Sequence, residues 1–221
     1  MQYPWSPVPK ALAGIEKTMS PARLARFTPG SGDKNHALRI FVWNARLCEE
    51  FYIPLQMTEV SLRNGITRRL VGQYGNDWFQ DHRFITTIPD RHKDEIREVT
   101  ASEKMKRGGS FTGDHVIAGL SFGFWLNLMG NSVAHILWKQ SLYAPFPNLP
   151  AGVTRNDIYL RLDQFRKFRN AVMHHYAIFD KGPVAEYQNI RTLVGWMCSD
   201  TLWLMHELAN PAAIIQQRPT C

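Results

Sequence analysis

The sequence predicts an all-α fold, and three observations carry the prediction. Apolar residues recur every three or four positions through most of the chain. No period-2 alternation of convincing length occurs. Pro/Gly clusters and Ser/Thr cap residues divide the chain into segments long enough for about seven helices. At 221 residues the chain suggests one domain over 20–210, preceded by an arm (1–19) and followed by a short tail (211–221).

The opening "MQYPWSPVPK" is Pro-rich and has no apolar core of the signal-peptide kind, so residues 1–19 read as an irregular arm. "SPARLARF" opens a helix, with Ser20 as N-cap and Pro21 in the first turn, and "TPGSGD" ends it. From Lys34, Leu38, Phe41, Val42, Ala45, Cys48 and Phe51 form an apolar stripe that Pro54 is expected to break or kink. A second helix then runs through Met57, Val60, Leu62, Ile66 and Leu70 and is closed by "GND". "PDRHKDEIREVTASEKMKRGG" reads as a solvated helix ended by Gly108 and Gly109, and "GDHVIAGLSFGFWLNLMG" as one buried helix. "SVAHILWKQSLYAPF" is a shorter helical or mixed piece. Thr154 caps the next helix, and a last helix spans about 185–209, with Leu193, Trp196, Met197, Leu204 and Leu208 facing inward.

Lys plus Arg exceed Asp plus Glu by seven and the pI is near 9.5. That surplus favours a polyanionic partner, RNA or DNA before an anionic membrane surface. A soluble basic protein with no such partner fits the same composition. Cys48, Cys198 and Cys221 are far apart and odd in number, and no metal-ligand spacing appears. A reducing cytoplasm, no metal and no cofactor are the expectation. No stretch of 18 or more apolar residues occurs, so no spanning helix is expected.

"RLDQFRKFRNAVMHHYAIFD" (161–180) concentrates polar groups inside an otherwise core-like helix. Asn170 and His174 are four apart and share a face. Arg169 and His174 are five apart, about 140° around the helix and roughly 7.5 Å along it. Arg, Asn and His suit RNA cleavage without a metal. His supplies a group that titrates near neutrality, and Arg supplies a planar cation matched to phosphate. Arg166 and Lys167, with Arg68 and Arg69 elsewhere, are candidate phosphate contacts. A structural or surface role for the whole cluster is the alternative at this point. "LSFGFWLNL" reads as core, with Gly119 and Gly123 marking close helix packing. His82, His92, His115, His135 and His206 read as surface or satisfied core residues.

"FRNAVMHH" fits the Arg-x4–6-His motif of HEPN domains, with Arg169 and His174 in the two motif places and Asn170 at a position that is often polar. "EVSLRNGI" (59–66) and "LSFGFWLNL" (120–128) resemble two further signatures of the Abi-like (AbiD/AbiF) branch of that superfamily. "ALAGIEKTMSPARLARF" and "YGNDWF" also resemble segments of that branch, so the likeness covers about residues 11–205. It implies a HEPN-type helical bundle with additional N-terminal helices. It also implies a metal-independent endoribonuclease acting as a toxin or in abortive phage defence, and a homodimer whose two motif helices share a cleft. An antitoxin protein or small RNA is a further implied partner. Arg169 and His174 become the catalytic pair and Asn170 a positioning residue. Glu59, Arg63 and Asn64 match the family's other polar signature, and Glu59 can pair with Arg63 on its own helix. The acidic residue and proline that many relatives carry after the paired histidines are replaced by "YAIFD", which leaves His175 to bind RNA or to cap the packing around Tyr176. A non-catalytic RNA- or nucleotide-binding module is the rival reading, and a polar cluster that only specifies a dimer interface is a third.

Overall fold

The computed structural model describes residues 8–27, 33–131, 133 and 143–220, and the expected piece over 132–146 falls largely outside them. The described residues form helices and connecting turns, with no strand among them. In chain order the helices are α1 (Pro9–Met19), α2 (Pro21–Ala25), α3 (Lys34–Tyr74), α4 (His82–Ile85), α5 (Asp90–Arg107) and α6 (Gly113–Gly119). They continue with α7 (Phe122–Leu128), α8 (Arg155–Met173), α9 (Pro183–Met197), α10 (Ser199–Leu208) and α11 (Pro211–Gln216).

The spine is α3, which packs against α2, α7, α8, α9, α10 and α11. Its 41 residues span about 60 Å at the usual helical rise. Asp33 caps it by accepting from the backbone N–H of Asn35 at 2.8 Å. The helix runs straight through Pro54, so the expected pair of helices is one. A mid-helix proline costs roughly 3 kcal/mol. Its neighbours Phe51 and Leu55 are fully buried, and burying each contributes about 1.5–3 kcal/mol, enough to hold the continuous helix. The buried stripe is also rotated from the expected one. Ile40, Trp43, Leu47 and Phe51 face the core, whereas Ala45 is exposed and Phe41, Val42 and Cys48 are half-buried.

Four further expectations need correction. The arm contains a regular helix: α1 buries no residue of its own but is tied to α3 by the Glu16–Lys34 ion pair at 2.7 Å. The tail is not appended but packed, since α11 lies on α3 and the Trp43 indole donates to the Ile214 carbonyl at 2.7 Å. The buried segment 113–128 is two helices. Ser121 breaks it because its side chain caps α7 while its N–H donates to Glu95 Oε1 at 2.8 Å. The last helix is likewise two, broken at Cys198, whose sulfur accepts from the Thr201 N–H at 3.4 Å. That break turns α10 so that Met205 is its buried residue, and Leu204 and Leu208 face solvent instead of the core.

Other elements match. Ser20 caps α2, and α5 is a solvated helix that buries only His92 and Ile96 and ends at Gly108 with φ 53°. Phe122, Phe124, Trp125, Leu126 and Leu128 are core. Gly119 does mark close packing, since a Cβ there would lie 2.7 Å from Val99 Cγ1; Gly123 has no such neighbour.

Candidate functional site

The candidate site sits where the C-terminal half of α8 lies against α3. A capping box starts α8: the Thr154 hydroxyl and N–H both engage Asp157. Ile158, Leu162, Phe165, Phe168, Ala171 and Val172 then form its buried stripe. Phe168 packs edge-on against Phe51 of α3, with ring centroids 4.7 Å apart, and Phe165 packs against Phe122 at 5.0 Å. With those rings inward, Arg169 and Asn170 are carried to the half-buried edge of the helix.

Arg169 donates through Nε to Glu59 Oε2 at 3.2 Å, an ion pair between helices with both side chains about 30% exposed. Its Nη1 reaches Asn170 Oδ1 at 3.5 Å, a long contact. Glu59 therefore pairs across the helix interface and not with Arg63, which donates to Asn64 Oδ1 at 3.3 Å. Glu59 was expected to be able to pair with Arg63 on its own helix; its partner is Arg169 on α8 instead.

His174 caps the C-terminus of the helix, directly after Met173, and its N–H donates to the Asn170 carbonyl at 2.9 Å. The imidazole is exposed. His175 follows with φ 57°, in the left-handed region where glycine or asparagine is usual. Its N–H donates to the Val172 carbonyl and the Tyr176 N–H to the Ala171 carbonyl, which together make a Schellman ending. This gives His175 a structural task at the C-terminal turn.

Two side chains that sequence reasoning missed hold this turn. Asn44, only 4% exposed, accepts from the Ile178 N–H at 2.8 Å and donates to the Tyr176 carbonyl at 3.4 Å. Arg23 donates to the His175 carbonyl at 2.7 Å. An asparagine on the apolar stripe of α3, between Trp43 and Leu47, was the available signal for the first. Nothing in the sequence pointed to the second.

The remaining candidates divide. Arg166 and Lys167 both pair with Asp163, at 2.7 and 2.8 Å, so the positive charge there is partly neutralised. Burial raises the Asp163 carboxyl, and the hydrogen bonds from Lys167 and Arg166 outweigh it, holding it below the usual carboxylate range. Asn64 and Arg68 are not brought to Arg169. Both line a separate cavity of about 480 Å³, together with Met57, Met197, Cys198 and Thr201. Nine residues from Glu59, Arg68 falls on the opposite side of α3. Arg69 is half-buried and has interactions of its own.

Among the described residues, no group of three or more His, Cys, Asp or Glu side chains could hold a metal ion, and no helix is long and apolar enough to cross a membrane. His92 is buried, and His135 lies outside the described residues. No protein-family model matches the sequence, and neither a curated protein nor a solved structure matches it.

Proposed function

We propose that this chain is a metal-independent endoribonuclease of the Abi-like HEPN type, cytoplasmic, working as a homodimer in abortive phage defence or as a toxin. One observation supports the reading most: Glu59 orients Arg169 across the α3–α8 interface, and an exposed His174 follows five residues later at the end of α8. In this mechanism a ribose 2′-OH attacks the adjacent phosphorus. His174 takes the 2′-OH proton or protonates the leaving 5′-oxygen, and a second imidazole from the partner copy serves the opposite role. Arg169 stabilises the charge that builds on the phosphorane oxygens. The P–O5′ bond breaks, leaving a 2′,3′-cyclic phosphate and a 5′-OH. Glu59 and Asn170 fix the guanidinium before RNA arrives, which limits the reorganisation needed at the moment of reaction.

The test is cleavage of total RNA in EDTA by wild type beside Arg169→Ala and His174→Ala, with circular dichroism to confirm folding. Wild type is expected to cut, and both variants to be folded and inactive. Cleavage that survives both substitutions sinks the proposal. The ion pair also gives the rival reading its one specific support. Glu59 neutralises Arg169, so a module that binds RNA without cutting it is compatible with the same geometry. That module would show salt-sensitive binding with intact RNA after long incubation.

A further inference from the structure

The same helix end presents an aromatic ring that the chemistry above does not use. Tyr176 is 59% exposed. A single exposed tyrosine is ordinary. Here, however, every backbone polar group of residues 175 and 176 is bound. The His175 N–H meets the Val172 carbonyl, its carbonyl accepts from Arg23, the Tyr176 N–H meets the Ala171 carbonyl, and its carbonyl accepts from Asn44. His175 adopts a left-handed conformation to close this turn. The bonded backbone fixes where the Tyr176 side chain leaves the chain, next to His174. Its centroid lies 5.9 Å from that of His174, with the planes tilted by 34°.

A second exposed ring stands on α3. Tyr52 is 56% exposed. On α3 it stands between Asn44, which holds the Tyr176 carbonyl, and Glu59, which holds Arg169. Helical geometry places it about 12 Å along the axis from Asn44 and within roughly 20° of the Glu59 direction. The order along α3 is therefore the Tyr176 turn at Asn44, then Tyr52, then Arg169 at Glu59.

We infer that Tyr176, with Tyr52 between the levels of Tyr176 and Arg169 on α3, is a stacking platform for unpaired bases next to the scissile phosphate, so that the substrate is single-stranded RNA. This rests on the nuclease reading for the word substrate, but the binding claim stands apart from catalysis. A single strand can lay its backbone on Arg169 while turning a base onto each ring, and a duplex keeps its bases stacked inside the helix. Tyr176 is a specificity residue in this account and touches no reacting atom.

The experiment measures binding of a fluorescent 2′-O-methyl oligonucleotide, which lacks the attacking hydroxyl, as a single strand and as a duplex. It compares wild type with Tyr176→Ala, Tyr176→Phe and Tyr52→Ala, and light scattering follows the oligomeric state. Wild type is expected to prefer the single strand. Tyr176→Ala should weaken single-strand binding about tenfold and leave duplex binding unchanged, and Tyr176→Phe should retain affinity because the ring face is kept. Tyr52→Ala should weaken binding to a smaller degree. Wild type that binds single strand without cutting any RNA, with the same Tyr176 dependence, supports the platform and removes the nuclease reading. Equal affinity for strand and duplex overturns the platform. So does a Phe variant as weak as the Ala variant, an unchanged affinity in Tyr176→Ala, or a Tyr176→Ala protein whose oligomeric state changes.

Discussion

The two ends of α8 use polar residues in opposite ways. At the N-terminal end four of them serve the fold. Thr154 and Asp157 close the capping box, Arg155 donates to the Met129 carbonyl at 2.7 Å, and Arg161 bonds Asn189 and stacks over Trp196. At the C-terminal end the helix has the same kind of residues with fewer partners. Arg169 has one carboxylate and remains 30% exposed, His174 is exposed, and His175 is held in a conformation that disfavours a side chain. A polar group spent on the fold is bonded to it, even where it is exposed as Thr154 and Asp157 are. One kept for a ligand is fixed in position and left open to solvent.

That contrast can be broken by substitution. The largest effect is expected for His174→Ala, which should lower RNA cleavage at least a hundredfold with little change in the melting temperature, because the residue is exposed. Asn44→Ala should cost about 2 kcal/mol in urea denaturation, since it strips a buried N–H at Ile178 of its acceptor. Thr154→Ala at the other end should cost about 1 kcal/mol and leave the cleavage rate per folded molecule unchanged. His175→Gly sharpens the comparison. It relieves the left-handed strain, so it should stabilise the protein by roughly 0.5–1 kcal/mol and leave cleavage intact. If His175→Gly destroys activity instead, that imidazole belongs to the site.

The smallest effect concerns Glu186, whose Oε1 accepts from Gln164 of α8 at 3.0 Å and whose Oε2 is buried without a partner. Burial raises this carboxyl, and the bond from Gln164 only partly offsets it. A carboxyl with a raised pKa favours the folded state while protonated, and that contribution disappears as pH rises through the folded value. Glu186→Gln should therefore raise the melting temperature slightly at neutral pH, and the gain should vanish below the ordinary carboxylate range.

What the sequence revealed divides along the same physical line. Local signals were legible: Ser20 and Thr154 as caps, Gly108 as a stop, and the aromatic run 122–128 as core. Features decided by tertiary contact were not. Pro54 sits inside a helix because Phe51 and Leu55 are buried beside it, and Ser121 breaks one because Glu95 offers its N–H an acceptor. At the site, Arg169, Asn170 and His174 were legible as a cluster, and Glu59 as a polar residue worth attention. That Glu59 meets Arg169, and that Asn64 and Arg68 face a different cavity, depends on how α3 is rotated against α8. Periodicity fixes that rotation only to within a residue or so, and here Ile40, Trp43, Leu47 and Phe51 took the core face.

The most direct test of the account is to identify the termini that the wild-type protein leaves on RNA in EDTA, by mass spectrometry of the fragments. The account predicts 2′,3′-cyclic phosphate and 5′-OH ends, formed by wild type and by neither Arg169→Ala nor His174→Ala. Fragments with 3′-OH and 5′-phosphate ends, or fragments that both variants still produce, would contradict it.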